Sequence, residues 1–437
     1  MVRWTVGLSL VLVAVIVLGS ELRAAGAAQE ARRPAPTYFQ QVKPILDGRC
    51  VSCHTAGGIA PFSLRTYAQA RRHRAAISAA VRTKLMPPWR ADRSYRRYLA
   101  DPSLSRAQIS AIARWAAAGA PKGNPARPGR ALPPLAGDLS RADARLALPA
   151  YTPRRAAGQD DYRCFVLRWP DRARYVTGFD VTPGERREVH HMIVYVASPA
   201  DAATVDGWDA RDAGAGYGCY GGPSATGTRQ IGARLLAGWA PGGSGSDLPA
   251  GTGTLVEAGS RLVVQIHYNL ESTAPKPDRS VVVLKLDDSV ERRGAYAPIV
   301  DLSWLVQPQT FRIPAARKRV LHSWTGDPRP LLQLLGTDID LRNGFVVHSV
   351  LLHMHRLGHR GQVALVRAAG RREVLLSISD WEFNWQRDYR LAAPVRFANG
   401  DRLSIRCEHA NPTRRTVTWG ENSSDEMCIG FVYVSEP

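Results

Sequence analysis

From about residue 160 to the C-terminus the chain is a succession of short apolar runs, many of them alternating, cut at intervals by Gly, Pro, Asp and Asn. The runs at 164–167, 189–196, 261–270, 281–286, 345–355, 362–366, 374–378 and 429–434 have the length and β-branched content of strands. No helical stretches alternate with them as a parallel βαβ sheet would require, so they predict antiparallel β-sandwiches. About 280 residues exceed one common sandwich, and two sandwiches are expected, at 159–300 and 301–437. No internal repeat is visible.

The N-terminal part has a different rhythm. Residues 37–121 predict a small all-α domain: an apolar segment at 38–46, an Ala/Arg-rich stretch at 67–82, and a run at 105–115 in which Ile109, Ile112, Ala113 and Ala116 share a helical face. Gly119 then supplies a stop signal. Residues 122–158 are rich in Pro, Ala, Arg and Gly without a period, and predict a linker or extended strap.

The first residues set the compartment. Arg3, an apolar run over 4–19 and Ala25-Gly26-Ala27-Ala28 have the order of a secretory signal, predicted to span 1–28. The run falls short of the ~20 residues that cross a bilayer, and no later segment is apolar enough to span. Export to a bacterial periplasm or the medium is therefore expected, where the six cysteines are able to form disulfides. With 45% hydrophobic and 22% charged residues, the composition excludes disorder and a polytopic membrane protein. The net charge of +20 comes without a helix-turn-helix, finger or RNA-binding signature, so no nucleic-acid partner is expected.

Cys50-Val51-Ser52-Cys53-His54 has the C-x-x-C-H spacing in which two thiols bond haem vinyl groups and the histidine ligates iron. A zinc reading would need a second ligand pair that this region lacks. Met86, in an extended Met-Pro-Pro-Trp segment, is the expected sixth ligand, with His73 as its rival. One covalently attached haem c is thus expected in the helical domain.

The remaining histidines lie in the strand-rich part. His190-His191-Met192 sits inside one strand pattern, His267 ends another, His353-Met354-His355 ends a third, and Met427 opens a fourth. Residues two apart on a strand face the same way, so His353 and His355 are able to share a metal. Adjacent His190 and His191 share one only at a bulge or strand end. Three imidazoles suit copper, zinc or iron, whereas two imidazoles with a thioether favour Cu(I).

These motifs, in this order, resemble the copper type II, ascorbate-dependent monooxygenases over about residues 160–437, through His190-His191-Met192, Gln265-Ile266-His267-Tyr268-Asn269, His353-Met354-His355-Arg356-Leu357-Gly358 and Ser424-Asp425-Glu426-Met427-Cys428. The resemblance implies two copper ions. His190, His191 and His267 would hold the electron-supplying copper, and His353, His355 and Met427 the copper where oxygen binds. It implies two jelly-roll-like sandwiches with one copper on each, and a disulfide between Cys407 and Cys428; Cys164 and Cys219 remain, and whether they pair with each other is left open. His322, His348, His359 and His409 match no ligand position and are read as structural or exposed.

The family's peptide-amidating members hold a substrate carboxylate with Arg, Asn and Tyr where this chain has Leu351, Ile429 and Phe431. A carboxylate buried there would find no partner, so the resemblance and its departures together imply O2 and a small neutral or apolar substrate. The fused haem domain would relay electrons from an upstream donor, a quinol-linked cytochrome or a small reductant. The alternative is a non-catalytic copper-binding or electron-transfer protein.

Overall fold

The computed structural model describes residues 34–437 except 57, 59, 134, 136–138, 156–159, 241, 242, 244, 272, 273 and 338. The expected signal peptide lies outside the described residues. The chain divides into two compact units.

Of the described residues, the first unit comprises 34–51 together with 64–86 and 104–132. A π-helical turn at Tyr38–Val42 runs into helix α1 (Lys43–Arg49), followed by α2 (Tyr67–Arg72), α3 (Arg74–Arg82) and α4 (Arg106–Ala117). Capping boxes start two of them: Thr66 with Gln69 at α2, and Ser105 with Gln108 at α4. The Ala/Arg-rich stretch breaks at His73, which separates α2 from α3. On α4 the fully buried residues are Ile112 and Trp115, while Ile109, Ala113 and Ala116 are only partly buried. The large indole, 6.2 Å from the Tyr38 ring, sets the inward face instead of the smaller residues. Residues beyond 120 do not run free here: Tyr38 and Phe39 donate to the Pro121 and Lys122 carbonyls, and Gly129 donates to Phe39.

The second unit contains two sandwiches. The first consists of β1 (Ala144–Ala147), β2 (Asp160–Arg168), β3 (Arg174–Thr182), β4 (Val189–Ala197), β5 (Tyr217–Gly218), β6 (Arg234–Trp239), β7 (Ser246–Asp247), β8 (Thr252–Val256), β9 (Arg261–Asn269) and β10 (Val281–Asp287). One sheet has the order β5-β2-β9-β4-β6 and the other β1-β10-β3-β8, with β7 on β3. Phe165, Val194, Leu236, Val264, Ile266 and Leu284 fill the space between them. A disulfide joins Cys164 on β2 to Cys219 just beyond β5.

The second sandwich consists of β11 (Arg292–Ile299), β12 (Arg312–Ile313), β13 (Arg317–Gly326), β14 (Phe345–His353), β15 (Gly358–Val366), β16 (Arg372–Ile378), β17 (Tyr389–Phe397), β18 (Arg402–Asn411), β19 (Val417–Thr418) and β20 (Ile429–Ser435). Its sheets are β11-β20-β14-β17 and β13-β18-β15-β16, with β12 and β19 paired apart. A disulfide joins Cys407 on β18 to Cys428, immediately before β20. Strand β11, expected in the first sandwich, pairs along its length with β20. Its Ala297 and Ile299 are buried in the second core, which fixes its allegiance. Two parallel pairings, Arg292 with Thr252 and Arg293 with Gly253, join β11 to β8, so one nine-stranded sheet runs through both sandwiches.

Two further stretches depart from the expected boundaries. The β1 segment of the anticipated linker adds an edge strand to β10. Residues 87–103, expected in the helical domain, belong to the second unit. Pro87 and Pro88 deny this strap a helix, and it lies along two open sheet edges. Ala91 bridges Ile378 on β16 and Tyr98 bridges Leu391 on β17. Arg96 adds an ion pair to Glu373 at 2.6 Å.

Candidate copper centre

Histidines on neighbouring strands come together because β4 bulges where they lie. Val189 registers with Tyr268 and His191 with His267, which leaves His190 as the extra residue. Both adjacent histidines thereby reach the same side. The Nδ1 atoms of His190 and His191 lie 3.4 Å apart, as do those of His191 and His267. The three rings each offer a ligand nitrogen within 4.8 Å of the others. Met192 is fully buried in the first core instead of joining them.

The sequence reading missed the groups that hold this cluster. Asp160 accepts a 2.8 Å hydrogen bond at the His267 Nε2 position, which directs Nδ1 toward the other rings. Tyr162, the register partner of His267, stacks on it at 4.3 Å with nearly parallel planes. The buried His190 Nε2 has no hydrogen-bond partner. Burial, reinforced by the neighbouring imidazoles, pushes His190 down to about 3 and His191 well below the usual histidine range. Burial alone would raise the Asp160 carboxyl, but hydrogen bonds from His267 and Ser423 bring it to about 2. Three clustered imidazoles, one of them oriented by a carboxylate, form a donor set suited to a metal.

The second group forms where β14 ends. Alternation puts Met354 into the second core and turns His353 and His355 the other way, their ring centroids 5.0 Å apart. His353 Nδ1 is held by the Gln386 amide oxygen at 2.5 Å and His355 Nδ1 faces the Asp425 carbonyl at 3.3 Å, which leaves Nε2 of each for a ligand role. Burial pushes His353 down to about 4 against that bond to Gln386, and pushes His355 well below the usual histidine range. Met427 is tied in through Glu426. This fully buried carboxylate accepts from the backbone N–H groups of His355, Leu357 and Met427, the last two at 2.7 and 3.0 Å, and so gathers the histidine turn and the methionine loop. Burial outweighs these bonds and raises Glu426 to about 8.

The two groups face each other across the sandwiches. The rings of His191 and His353 are 6.4 Å apart, and Phe383, close to Gln386, stacks on His190 at 4.6 Å. Asp160 accepts from both the backbone and the hydroxyl of Ser423, at 3.1 and 3.0 Å. Tyr162 donates to the Glu421 carbonyl, and Arg356 pairs with Glu271.

The other singled-out residues fall elsewhere. Cys50 and Cys53 are in no disulfide, and the Cys50 N–H closes α1 on the Leu46 carbonyl. His54 Nδ1 contacts the Phe62 carbonyl at 3.0 Å. Met86 follows α3 and donates its N–H to Ala80. His73 caps α3, His348 bonds Ser435, and His359 is exposed.

Two β-sandwiches, one bearing three imidazoles and the other two imidazoles tied through Glu426 to a methionine loop, carry donor types that suit copper. Residues 149–274 match the family model for the copper type II ascorbate-dependent monooxygenase N-terminal domain, and residues 334–436 match that for the C-terminal domain. Together the matches take in slightly more than half of the chain, which belongs to this family. Among its relatives, the mouse (Mus musculus) DBH-like monooxygenase protein 2 is 25% identical over 285 residues, 63% of this chain and 43% of its own length. The chicken (Gallus gallus) DBH-like monooxygenase protein 1 is 22% identical over 256 residues, 56% of this chain and 38% of its own length. The chain thus spans less than half the length of these curated relatives.

Proposed function

We propose that this chain is an exported copper monooxygenase that hydroxylates a C–H bond of a small neutral or apolar molecule with O2. One observation carries the substrate class. In the pairing of β14 with β20, Leu351 sits opposite Phe431 and His353 opposite Ile429. Alternation therefore puts Leu351, Ile429 and Phe431 on the His353 face of the sheet, and all three are only half-buried. A substrate beside His353 meets a hydrocarbon wall, where a neutral group is desolvated cheaply and a carboxylate is not.

The donor sets fit copper: His190, His191 and His267 for one ion, His353, His355 and Met427 for the other. Bound there, the metals would supply oxygen activation and one-electron transfer. The protein's own residues do the rest. Asp160 and Gln386 fix which nitrogen each of their histidines presents, Glu426 holds the methionine loop against the histidine turn, and Phe383 covers the three-histidine side.

The Cys50-Val51-Ser52-Cys53-His54 segment is assigned covalent haem c on Cys50 and Cys53, with His54 and Met86 as iron ligands. The Phe62 carbonyl at His54 Nδ1 supports this, since a histidine held there presents Nε2 to a metal. Its role is to pass electrons from an upstream donor, a quinol-linked cytochrome or a small reductant. The location is a bacterial periplasm or the medium, in keeping with two disulfides.

Iron and copper are to be counted per chain after maturation with haem and reloading with copper, followed by a substrate screen under O2. One iron, two coppers and selective weakening of one copper by Met427→Ile support the reading. Two bound coppers with no O2-dependent hydroxylation of any neutral candidate would favour the non-catalytic electron-transfer protein. Faster turnover of a carboxylate-bearing peptide than of apolar candidates would overturn the substrate class.

A further inference from the structure

Neither donor group uses the outer face of the second sandwich's β13-β18-β15-β16 sheet, and strand register fixes which side chains share it. Leu321 sits opposite Glu408 and Ser323 opposite Arg406. Across the next pairing Glu408 meets Arg360, Ser404 meets Ala364 and Arg402 meets Val366, which Arg372 meets in turn from β16. Cys407, Ile405 and Val363 at the alternate positions are buried in the core, so this other set points outward.

Arg319, Arg360, Arg372, Arg402 and Arg406 are all exposed there, against one carboxylate. That carboxylate, Glu408, is mostly covered and is already paired with Arg319 at 2.8 Å. Arg372 donates only to neutral oxygens, the Gln362 amide at 3.0 Å and the Ser404 hydroxyl at 3.1 Å. Arg360, Arg402 and Arg406 make no ion pair among the described residues. On the first sandwich, by contrast, Arg141 finds Asp143 and Asp287, and Arg172 finds Asp288. Burial and the neighbouring Arg406 charge pull the Arg372 guanidinium below its usual range. The face thus gathers like charges without the anion that would relieve them.

An apolar rim borders this basic face. Strand β13 is its edge, and Leu321 on it is 47% exposed. The short helix Leu302–Val306 is pinned beside the same strand by Trp304, whose ring stands 5.9 Å from His322 and 5.3 Å from Phe311. Leu302, Leu305 and Val306 remain exposed on it, Val306 at 78%. A soluble polyanion would satisfy the arginines and leave these apolar side chains in water. A bilayer surface accommodates both: lipid phosphates accept from the guanidinium groups, and the rim enters the boundary of the acyl chains.

We propose that this face, with the Leu302–Val306 helix at its rim, seats the protein on the surface of a membrane that contains anionic phospholipid. The attachment is peripheral, since no helix among the described residues is long and apolar enough to cross a bilayer. It does not rest on the copper reading.

The test is co-sedimentation of the full chain with phosphatidylcholine vesicles that contain or lack phosphatidylglycerol. Wild type is expected to bind the anionic vesicles and to be released by salt. Arg402→Gln and Arg406→Gln should each weaken that partition about fivefold, and Val306→Ser should weaken it without changing the salt dependence. Equal binding to both vesicles, or arginine variants that bind like wild type, would overturn the proposal. So would equally strong binding to dextran sulfate combined with no effect of Val306→Ser, which would mark a general polyanion surface. On wild type alone, anionic vesicles should slow amide exchange over 302–306 and 317–326, and protection confined to other segments overturns the placement. Failure of the monooxygenase reading would show separately, as absent copper binding in a protein that still sediments with anionic vesicles.

Discussion

Asp160 governs the three-histidine cluster from the strand beside it. By holding His267 Nε2 it fixes which nitrogen faces the other two rings, and the same carboxylate receives Ser423 and Asn269. Asp160→Asn keeps the shape but puts an amide where His267 meets a carboxylate. Copper affinity of that cluster should fall about 10- to 100-fold in chelator competition, with the His353 site unchanged. The buried histidines also give the apoprotein a pH dependence with a definite sign. His190 and His353, lowered to about 3 and about 4, stay neutral in the fold while their unfolded counterparts protonate near pH 6.5. The unfolded chain binds these protons below that value, so the histidines' share of stability is full above about pH 6.5 and falls progressively toward pH 4, against an opposite contribution from the raised Glu426 carboxyl. Denaturant midpoints at pH 7 and pH 5 for the wild-type and His353→Gln apoproteins check this, and a pH dependence that the variant keeps in full would contradict it. The histidines themselves were legible in the sequence because residue type and strand alternation mark them. Asp160, Gln386, Phe383 and Glu426 were not, because each acts through a contact with a residue distant in the chain, and a lone carboxylate or amide carries no periodicity.

The strands were legible for the same reason that the strap was not. Alternating apolar runs announce β4, β9, β14 and β20 directly, whereas residues 87–103 carry no period and show their place only against the edges they cover. The bulge at His190 lies between: the sequence stated the need for one, and only the β4–β9 register locates it. The strap's first aromatic has a local consequence. Trp89 stands edge-on to Tyr389 at 5.0 Å, and the Arg387 guanidinium lies over its ring at 5.5 Å, next to the Gln386 that holds His353. Its indole N–H has no hydrogen-bond partner, so the ring acts through shape. Trp89→Ala should destabilise the second sandwich by roughly 2–4 kcal/mol, and Trp89→Phe should recover most of it. Faster amide exchange at 386–391 in the alanine variant alone would locate the effect, and equal exchange in both variants would remove the strap from any account of this loop.

One sheet shared by both sandwiches fixes their spacing at β8 and β11, but the histidine-bearing ends depend on side chains to stay together. Tyr220, a first-sandwich residue, places a single hydroxyl among three groups of the loop that leads to Met427. It accepts from the Glu421 N–H at 3.1 Å and the Asn422 side chain at 3.0 Å, and reaches Asp425 at 3.4 Å. The neighbouring Tyr162 donates to the Glu421 carbonyl from beneath His267. The loop that carries Met427 is thus held by residues that support the three-histidine cluster, which couples the two donor groups mechanically. None of this was visible in the sequence, since the partners are about 200 residues apart. Tyr220→Phe removes only the hydroxyl and leaves the ring packed against Tyr162 at 5.6 Å. Amides of 421–426 should then exchange faster, and CO bound to Cu(I) beside Met427 should show a shifted or broadened stretching band, while copper retention by His190, His191 and His267 stays at the wild-type level. An unchanged CO band with faster loop exchange would mean that the methionine keeps its place without this clamp, through Glu426 and the Cys407–Cys428 disulfide alone.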